Sequence, residues 1–152
     1  MDLQLQGKRA LVTGSTAGIG FATAAGLYRE GASVVVNGRT PQRVDEAVAK
    51  IKGLGVGEVS GIAADLSSAE GVAELVRQLP EVDILVNNLG IFEPKPFEEI
   101  PDTDWLRFFE VNVMSGVRLT RHYLKGMKAR NWGRVDGQYP VCDLAGESSI
   151  LL

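Results

Sequence analysis

The chain has 152 residues, of which 45% are hydrophobic and 23% are charged, and this composition is typical of one globular domain with one core. The net charge of −3 and the pI near 5.2 argue against a nucleic-acid partner, although they are compatible with a local basic site for a phosphate. Cys142 is the single cysteine, so no internal disulfide forms. No apolar stretch approaches the roughly 20 residues that are needed to cross a bilayer. We therefore expect a cytoplasmic protein without a membrane partner.

The first predicted unit is a strand over residues 8–13, a glycine-rich turn and a helix over residues 19–30. Gly14, Gly18 and Gly20 permit a sharp bend, a close approach of the backbone to a bound group and tight packing of the helix on its sheet. The free N–H donors and positive dipole end of such a helix favour the pyrophosphate of a dinucleotide. The alternative is that the three glycines form only a structural turn.

The next elements continue the alternation of strand and helix. The β-branched run at residues 33–37 predicts a strand buried on both faces, as in a parallel sheet. A second helix is predicted from Pro41, with Thr40 as its N-cap, and a third strand over residues 58–63. Ser67 and Glu70 have the spacing of a capping box at the start of a third helix.

The second half of the chain predicts a fourth strand over residues 82–86, a proline-containing loop and a long helix over residues 103–128. Apolar residues recur at helical spacing along this helix, and we expect them to lie against the sheet. They are Leu106, Phe109, Val113, Val117, Leu124 and Met127. Gly133 and Arg134 lead into a fifth strand.

Four repeats of strand and helix with short connections predict an α/β fold with an open, doubly wound parallel sheet in the Rossmann order. We assign residues 1–135 to a dinucleotide-binding domain that is incomplete after its fifth strand, and residues 136–152 to an atypical tail. A ligand is expected beyond the carboxyl ends of the strands, where Gly14, Asn37, Asp65 and Asn88 fall.

These motifs together resemble one family, the classical short-chain dehydrogenases/reductases. The residues that carry the resemblance are Thr13-Gly-Ser-Thr-Ala-Gly-Ile-Gly20, Asp65 after the third strand, Asn87-Asn-Leu-Gly90 after the fourth, and Asn112 in the long helix. The resemblance extends over about residues 7–135. It implies hydride transfer between an alcohol and a carbonyl compound, with a nicotinamide dinucleotide as cofactor.

The resemblance also implies a role for each matched position. In that family the positions of Ser15, Thr16 and Ile19 line the pyrophosphate and ribose. The positions of Asp65 and Leu66 approach the adenine, and those of Asn88 and Gly90 border the cofactor ribose. The position of Asn112 is the asparagine of the catalytic tetrad, which helps hold a proton-relay water. The complete predicted cofactor set is Gly14, Ser15, Thr16, Gly18, Ile19, Gly20, Asn37, Arg39, Asp65, Leu66, Asn88 and Gly90.

Simpler interpretations stand beside these roles. Asp65 could merely cap the following turn, and Asn88 could be a turn residue, since asparagine accepts left-handed conformations. Asn112 is more informative, because an asparagine among apolar helical positions is costly unless it is hydrogen-bonded. Leu89 departs from the family's usual alanine and adds bulk on the nicotinamide side of the cofactor, where it could alter the cofactor fit or the substrate shape. His122, the one histidine, is interpreted as a surface or interface residue.

The end of the second strand predicts which cofactor is bound. An acidic residue there would accept hydrogen bonds from the ribose of NAD and repel a 2′-phosphate. Arg39 stands there instead, with Arg43 one turn further on, and a guanidinium suits a phosphate. We therefore predict NADP(H), with NAD(H) as the alternative if both arginines are only solvated surface residues.

The family's catalytic pair, a tyrosine followed four residues later by a lysine, is not found. Ala32, Met127 and Asp143 follow the three tyrosines, Tyr28, Tyr123 and Tyr139, at that spacing. Ser148 and Ser149 have no neighbouring base, so neither is assigned as the catalytic serine.

We therefore expect a chain shortened or altered after Val135 that is inactive or very slow. The alternative is a non-catalytic nucleotide-binding or interaction module. The substrate, if there is one, is a small carbonyl or 3-oxo compound, no metal site is predicted, and self-association into a homo-oligomer is expected.

Overall fold

Strands and helices alternate in the computed structural model, which describes residues 2–55 and 57–137. The strands are β1 (Arg9–Val12), β2 (Ser33–Gly38), β3 (Val59–Ala63), β4 (Ile84–Asn87) and β5 (Arg134–Gly137). The helices are α1 (Gly18–Arg29), α2 (Pro41–Lys52), α3 (Ala69–Gln78), α4 (Asp102–Phe109) and α5 (Ser115–Ala129). The predicted tail after Gly137, with Tyr139, Ser148 and Ser149, lies outside the described residues.

The strands form one parallel sheet in the order β3-β2-β1-β4-β5. Central β1 pairs with β2 and β4, so that Leu11 lies opposite Val35 on one side and Leu85 on the other. A parallel pair needs a crossover, and the helices that make these crossovers cover both faces of the sheet. The predicted doubly wound fold and the Rossmann order are confirmed.

Each face of the sheet has its own hydrophobic core, because successive side chains of a strand point to opposite faces. Leu11 packs in one core with Leu75 of α3 and Leu119 of α5. Val12 packs in the other core with Ala24 of α1 and Ile51 of α2. The continuous apolar strands that the sequence predicted are therefore buried on both sides, which fixes the strand ends in space.

The predicted long helix is interrupted, and its predicted core face is wrong. A π-helical turn (Glu110–Met114) separates α4 from α5. Each helical residue turns the chain by about 100°, so the extra residue in the π-helical turn rotates the apolar face of α4 relative to the apolar face of α5. Leu106 and Phe109 are exposed and Val113, Val117 and Leu124 are only half-buried, whereas Met127 is buried.

The buried side of α5 shares only Met127 with the predicted stripe and mixes small or polar residues with large apolar ones. The buried residues of this helix are Ser115, Gly116, Leu119, Thr120, Tyr123 and Met127. Gly116 faces β4, and a Cβ on this residue would lie 3.4 Å from Cγ of Asn87, which is an ordinary contact distance. The sequence periodicity selected the more apolar stripe, whereas the buried stripe combines small and polar residues with larger apolar ones.

Two helix starts also differ from the prediction. The N-cap of α3 is Ser68, whose Oγ accepts a hydrogen bond from the amide of Gly71 (3.1 Å), so the predicted capping box of Ser67 and Glu70 is wrong. Thr40 takes the N-cap position of α2 as predicted, but its side chain caps no amide.

Candidate functional site

A cleft of about 370 Å³ lies beyond the carboxyl ends of β1, β2 and β3. The parallel strands end at this edge, and the loops that follow them supply its walls. The lining residues are Gly14, Thr16, Asn37, Gly38, Arg39, Thr40, Arg43, Ala64, Asp65, Leu66 and Leu89. Of the predicted cofactor residues, Ser15, Gly18, Ile19, Gly20, Asn88 and Gly90 do not line this cleft.

The glycine turn after β1 presents uncapped amides. Gly14 and Gly18 have φ of +58° and +59°, a conformation that side chains with a Cβ rarely adopt. A Cβ on Gly18 would meet nothing within 4 Å, so the backbone there borders open space, and Ile19 is 75% exposed. Ala17 at the N-cap of α1 supplies no side-chain hydrogen bond, and the first turn contains no acidic residue. This helix start can therefore accept an anion.

Asn88 ties the glycine turn to the end of β4. Its side-chain Nδ2 donates to the carbonyls of Thr13 (3.0 Å) and Gly14 (3.1 Å). Thr13 Oγ1 in turn accepts hydrogen bonds from the amides of Asn88 (3.0 Å) and Leu89 (2.9 Å). We call these four hydrogen bonds the Asn88 lock. Gly20 leaves room for them, because a Cβ on Gly20 would collide with Asn88 Nδ2 and lie 2.6 Å from the Gly14 carbonyl oxygen.

Asn37 and Ser15 hold the cleft wall from inside the protein. Asn37 Nδ2 donates to the carbonyls of Ile62 and Ala64, both at 3.2 Å, and its Oδ1 accepts from the amide of Gly14 (3.2 Å). Ser15 Oγ donates to a β1 carbonyl (2.6 Å) and accepts from the Asn37 amide (3.0 Å). The sequence motifs pointed to these residues as ligand contacts, but both are almost completely buried and their side-chain bonds join β1, β2 and β3.

Asp65 is a charged group at the cleft rim. Its Oδ1 accepts hydrogen bonds from the hydroxyl (2.7 Å) and the amide (3.0 Å) of Ser67, so the turn-capping interpretation describes part of its role. These bonds, first the hydroxyl and then the amide, lower the pKa of the carboxyl, and the positive charge of Arg39 lowers it further. Asp65 is therefore ionised at neutral pH beside Arg39.

The far end of the cleft is cationic. Arg39 follows β2 and Arg43 lies in the first turn of α2, and both are exposed. Among the described residues, neither guanidinium lies within 4.0 Å of a carboxylate oxygen. Two guanidinium groups without ion-pair partners at the mouth of a cleft can bind a phosphate.

Asn112 lies in the π-helical turn and fixes the loop after β4. Its Oδ1 accepts a hydrogen bond from the amide of Ile91 (2.7 Å), and its Nδ2 donates to the carbonyl of the same residue (3.1 Å). The side chain therefore acts on the backbone, and it positions the loop that leaves the cleft. Nearby, Asn87 donates to Thr120 Oγ1 (3.2 Å), while its buried Oδ1 has no partner among the described residues.

Comparison with known proteins decides the family. Residues 8–135 match the model of the family described as short chain dehydrogenase. The chain belongs to this family. The parallel sheet with helices on both faces is the Rossmann-like fold of this family.

Individual short-chain dehydrogenases are similar over most of this chain. The uncharacterized oxidoreductase YvaG of Bacillus subtilis is 56% identical over 136 residues, which are 89% of this chain and 52% of that protein. L-sorbose reductase from Gluconobacter frateurii, solved with NADPH and L-sorbose, is 37% identical with a TM-score of 0.84 over 89% of this chain and 53% of that one.

A 3-oxoacyl (acyl-carrier-protein) reductase from Agrobacterium tumefaciens, solved with NADP bound, is 36% identical with a TM-score of 0.80 over 86% of this chain and 52% of that one. The chain spans about half the length of the curated relatives it matches.

The described residues contain no helix that is both long and apolar enough to cross a membrane. Residues 2–55 and 57–137 also contain no group of three or more His, Cys, Asp or Glu side chains that could hold a metal ion. His122 is exposed, with Nε2 3.0 Å from the carbonyl oxygen of Pro80, and it lies outside the cleft.

Proposed function

We propose that the chain binds a nicotinamide dinucleotide in the cleft, with NADP(H) preferred to NAD(H). The observation that carries the proposal is that the glycine turn, which leads into the uncapped start of α1, contributes Gly14 and Thr16 to the same cleft as Arg39 and Arg43. The turn suits the pyrophosphate, and the two arginines suit a 2′-phosphate on the ribose. The NADPH and NADP bound to the reductases from Gluconobacter frateurii and Agrobacterium tumefaciens support the same choice.

The residues around the cleft fit such a molecule. Gly18 borders open space at the helix start, so the pyrophosphate can approach the amides without meeting a Cβ. Asp65 and Leu66 line the side on which we place the adenine. We place the second ribose toward the loop after β4, which contains Asn88 and Gly90. Ser15 and Asn37 contribute through the backbone shape that they hold. When bound, the dinucleotide supplies or accepts the hydride of the family's reaction.

The reaction we assign is hydride transfer between an alcohol and a ketone or 3-oxo compound. Asn112 takes part as a positioning residue, because its side-chain bonds to Ile91 hold the loop beside the cofactor site. A tyrosine and lysine four residues apart are not present in the sequence. A general acid contributes about 10²–10⁴-fold to such a rate, so this chain alone is expected to be inactive or very slow. The second candidate function is therefore dinucleotide binding without turnover.

We also propose that the chain associates with itself through the loop after β4 and α4. Phe92, Phe97 and Leu106 are 88%, 76% and 66% exposed, and Trp105 and Phe109 are about half exposed. Phe97 and Trp105 are in edge contact, with ring centroids 6.0 Å apart. Exposed apolar side chains concentrated in one part of the chain favour an interaction site. A melting temperature that rises with chain concentration supports the proposal, and one that is independent of concentration contradicts it.

The cofactor preference is tested with Arg39→Glu. The dissociation constants of NADPH and NADH are measured by calorimetry for this variant, for the wild type and for Arg29→Glu. Arg29 is an exposed arginine at the far end of α1, so the control has the same change in net charge. Loss of charged hydrogen bonds to the phosphate predicts about 10- to 100-fold weaker NADPH binding in Arg39→Glu and little change for NADH. Equal losses for both cofactors contradict the NADP(H) assignment.

A turnover assay distinguishes the two candidate functions, which are oxidoreductase activity and dinucleotide binding without catalysis. The wild-type chain is mixed with NADPH and a panel of ketones and 3-oxoacyl thioesters, and the absorbance of the reduced cofactor is followed. Consumption of NADPH that stops when Asn112 is changed to Ala supports the oxidoreductase. Binding of NADPH without consumption supports the non-catalytic module.

A further inference from the structure

A serine at the end of the π-helical turn makes two hydrogen bonds that a regular helix would not contain. In an α-helix the amide of Ser115 would donate to the carbonyl four residues earlier, which is that of Val111. Here the Ser115 amide donates to the carbonyl of Glu110, one residue further back. The Ser115 hydroxyl donates to the Val111 carbonyl instead (2.6 Å). The side chain of this serine therefore takes the place of its own amide.

The surroundings of the turn make this substitution important. Ser115 and Val111 are both buried, so the Val111 carbonyl needs a donor from within the protein. At the surface, the carboxylate of Glu110 forms an ion pair with Arg118 (2.9 Å) across the same turn, whereas ion pairs on a regular helix join residues three or four apart. One buried and one surface contact thus favour the π-helical turn over a continuous α-helix.

The turn sets the direction of the Asn112 side chain. Asn112 lies inside the turn, and its two hydrogen bonds to Ile91 hold the loop after β4. Closing the turn into a regular α-helix would rotate the residues before it by about 100° relative to α5. Because Leu119 and Tyr123 fix α5 in the core, this rotation would move Asn112 and break its bonds to Ile91.

The loop that Asn112 holds forms part of the cleft. Leu89 lines the cleft, and Ile91 follows it in the same loop. A binding site whose loops are already ordered loses less conformational freedom when the ligand binds. The Ser115 hydroxyl can therefore affect ligand binding without touching the ligand.

We infer that Ser115 is a positioning residue of the cofactor site, whose hydroxyl maintains the π-helical turn and so keeps Asn112 bonded to the loop after β4. The effect on the cofactor rests on the proposed function, whereas the effect on the loop requires no bound ligand. Removal of the hydroxyl should therefore loosen the loop at Ile91 and weaken the binding of NADPH.

Hydrogen exchange of the Ile91 amide tests the first effect in the 152-residue chain without cofactor. The wild type is compared with Ser115→Ala, Asn112→Ala and the double variant. The matched control is Thr23→Ala, because Thr23 Oγ1 also donates to a carbonyl four residues earlier (2.9 Å), but within the regular helix α1. We expect about 3- to 10-fold faster exchange at Ile91 in Ser115→Ala and no change in Thr23→Ala.

The double variant distinguishes positioning from general destabilisation. If Ser115 acts through Asn112, the double variant exchanges at Ile91 no faster than Asn112→Ala alone. Unchanged exchange in folded Ser115→Ala, or additive effects in the double variant, would overturn the assignment. If Ser115→Ala does not fold, Ser115→Cys replaces the hydroxyl by a weak donor of similar size, and exchange about 2- to 5-fold faster is expected. Unchanged exchange in that variant would also overturn the assignment.

Calorimetry with NADPH tests the second effect. Ser115→Ala should bind NADPH about 3- to 10-fold more weakly than the wild type, and Asn112→Ala should show a similar loss. Faster exchange at Ile91 with unchanged NADPH binding would overturn the role of Ser115 in the cofactor site. A wild-type chain that does not bind NADPH would overturn the proposed function instead, and the exchange rates would still decide whether Ser115 maintains the turn.

Discussion

Two glycines of the same helix should respond oppositely to substitution by alanine. Gly20 and Gly26 both lie within α1. A Cβ on Gly26 would meet nothing within 4 Å, whereas one on Gly20 would collide with Asn88 Nδ2 and lie 2.6 Å from the Gly14 carbonyl oxygen. Alanine is the better helix former at both positions, so any difference between the two variants reports the close approach at Gly20.

The size of the difference follows from the contacts. Gly26→Ala gains about 1 kcal/mol of helix propensity. Gly20→Ala gains the same, but it displaces the two hydrogen bonds of the Asn88 amide, worth about 0.5–1.5 kcal/mol each, and it crowds a backbone oxygen at a cost of about 1–3 kcal/mol. The free energy of unfolding should therefore fall by about 3 kcal/mol in Gly20→Ala, out of a typical total of about 5–15 kcal/mol.

Urea unfolding followed by circular dichroism measures both variants against the wild type at one chain concentration. The expected order of midpoints is Gly26→Ala, then wild type, then Gly20→Ala, with unchanged slopes. If Gly20→Ala proves as stable as Gly26→Ala, the Asn88 lock does not hold the glycine turn, and the reasoning about the cleft geometry is refuted.

Three further predictions concern single side chains. Ser68→Ala removes the cap of α3 and should lower the free energy of unfolding by about 1 kcal/mol in urea unfolding; a change below about 0.3 kcal/mol would contradict the cap. Ser67→Ala should raise the pKa of Asp65 toward 3.8 in an NMR titration, because it removes the hydroxyl whose hydrogen bond stabilises the carboxylate; an unmoved pKa would contradict this cause. Asn112→Ala should speed hydrogen exchange of the Ile91 amide, and unchanged protection there would show that the side chain does not hold the loop.

The strands and their order were predictable from the sequence because the apolar runs are short and end at small or polar residues, and each of the first four is followed along the chain by a helical pattern. Those signals are local, and a parallel sheet with right-handed crossovers leaves few ways to combine them. The place of the site followed from the same signals, since Gly14, Arg39 and Asp65 each come directly after a strand.

The sheet-facing side of α5 was not predictable in the same way. Its contacts depend on how the helix packs against β4, where Gly116 and Thr120 are buried beside Asn87 although neither is a large apolar residue. The hydrogen bonds of Asn37 and Ser15 were not predictable either. Motif spacing places both at the ligand edge, where they stay predicted cofactor residues, but only the structure shows that their side chains also join β1, β2 and β3.

Chemical-shift changes on titration with NADPH test the central claim most directly. In ¹⁵N-labelled chain, the account predicts that saturating NADPH moves the amide resonances of Gly14, Gly18 and Gly20 and that of Arg39 more than those at the amino ends of the strands. Resonances of the glycine turn that stay unmoved in a folded sample at saturating NADPH would contradict the assignment of a dinucleotide to this cleft.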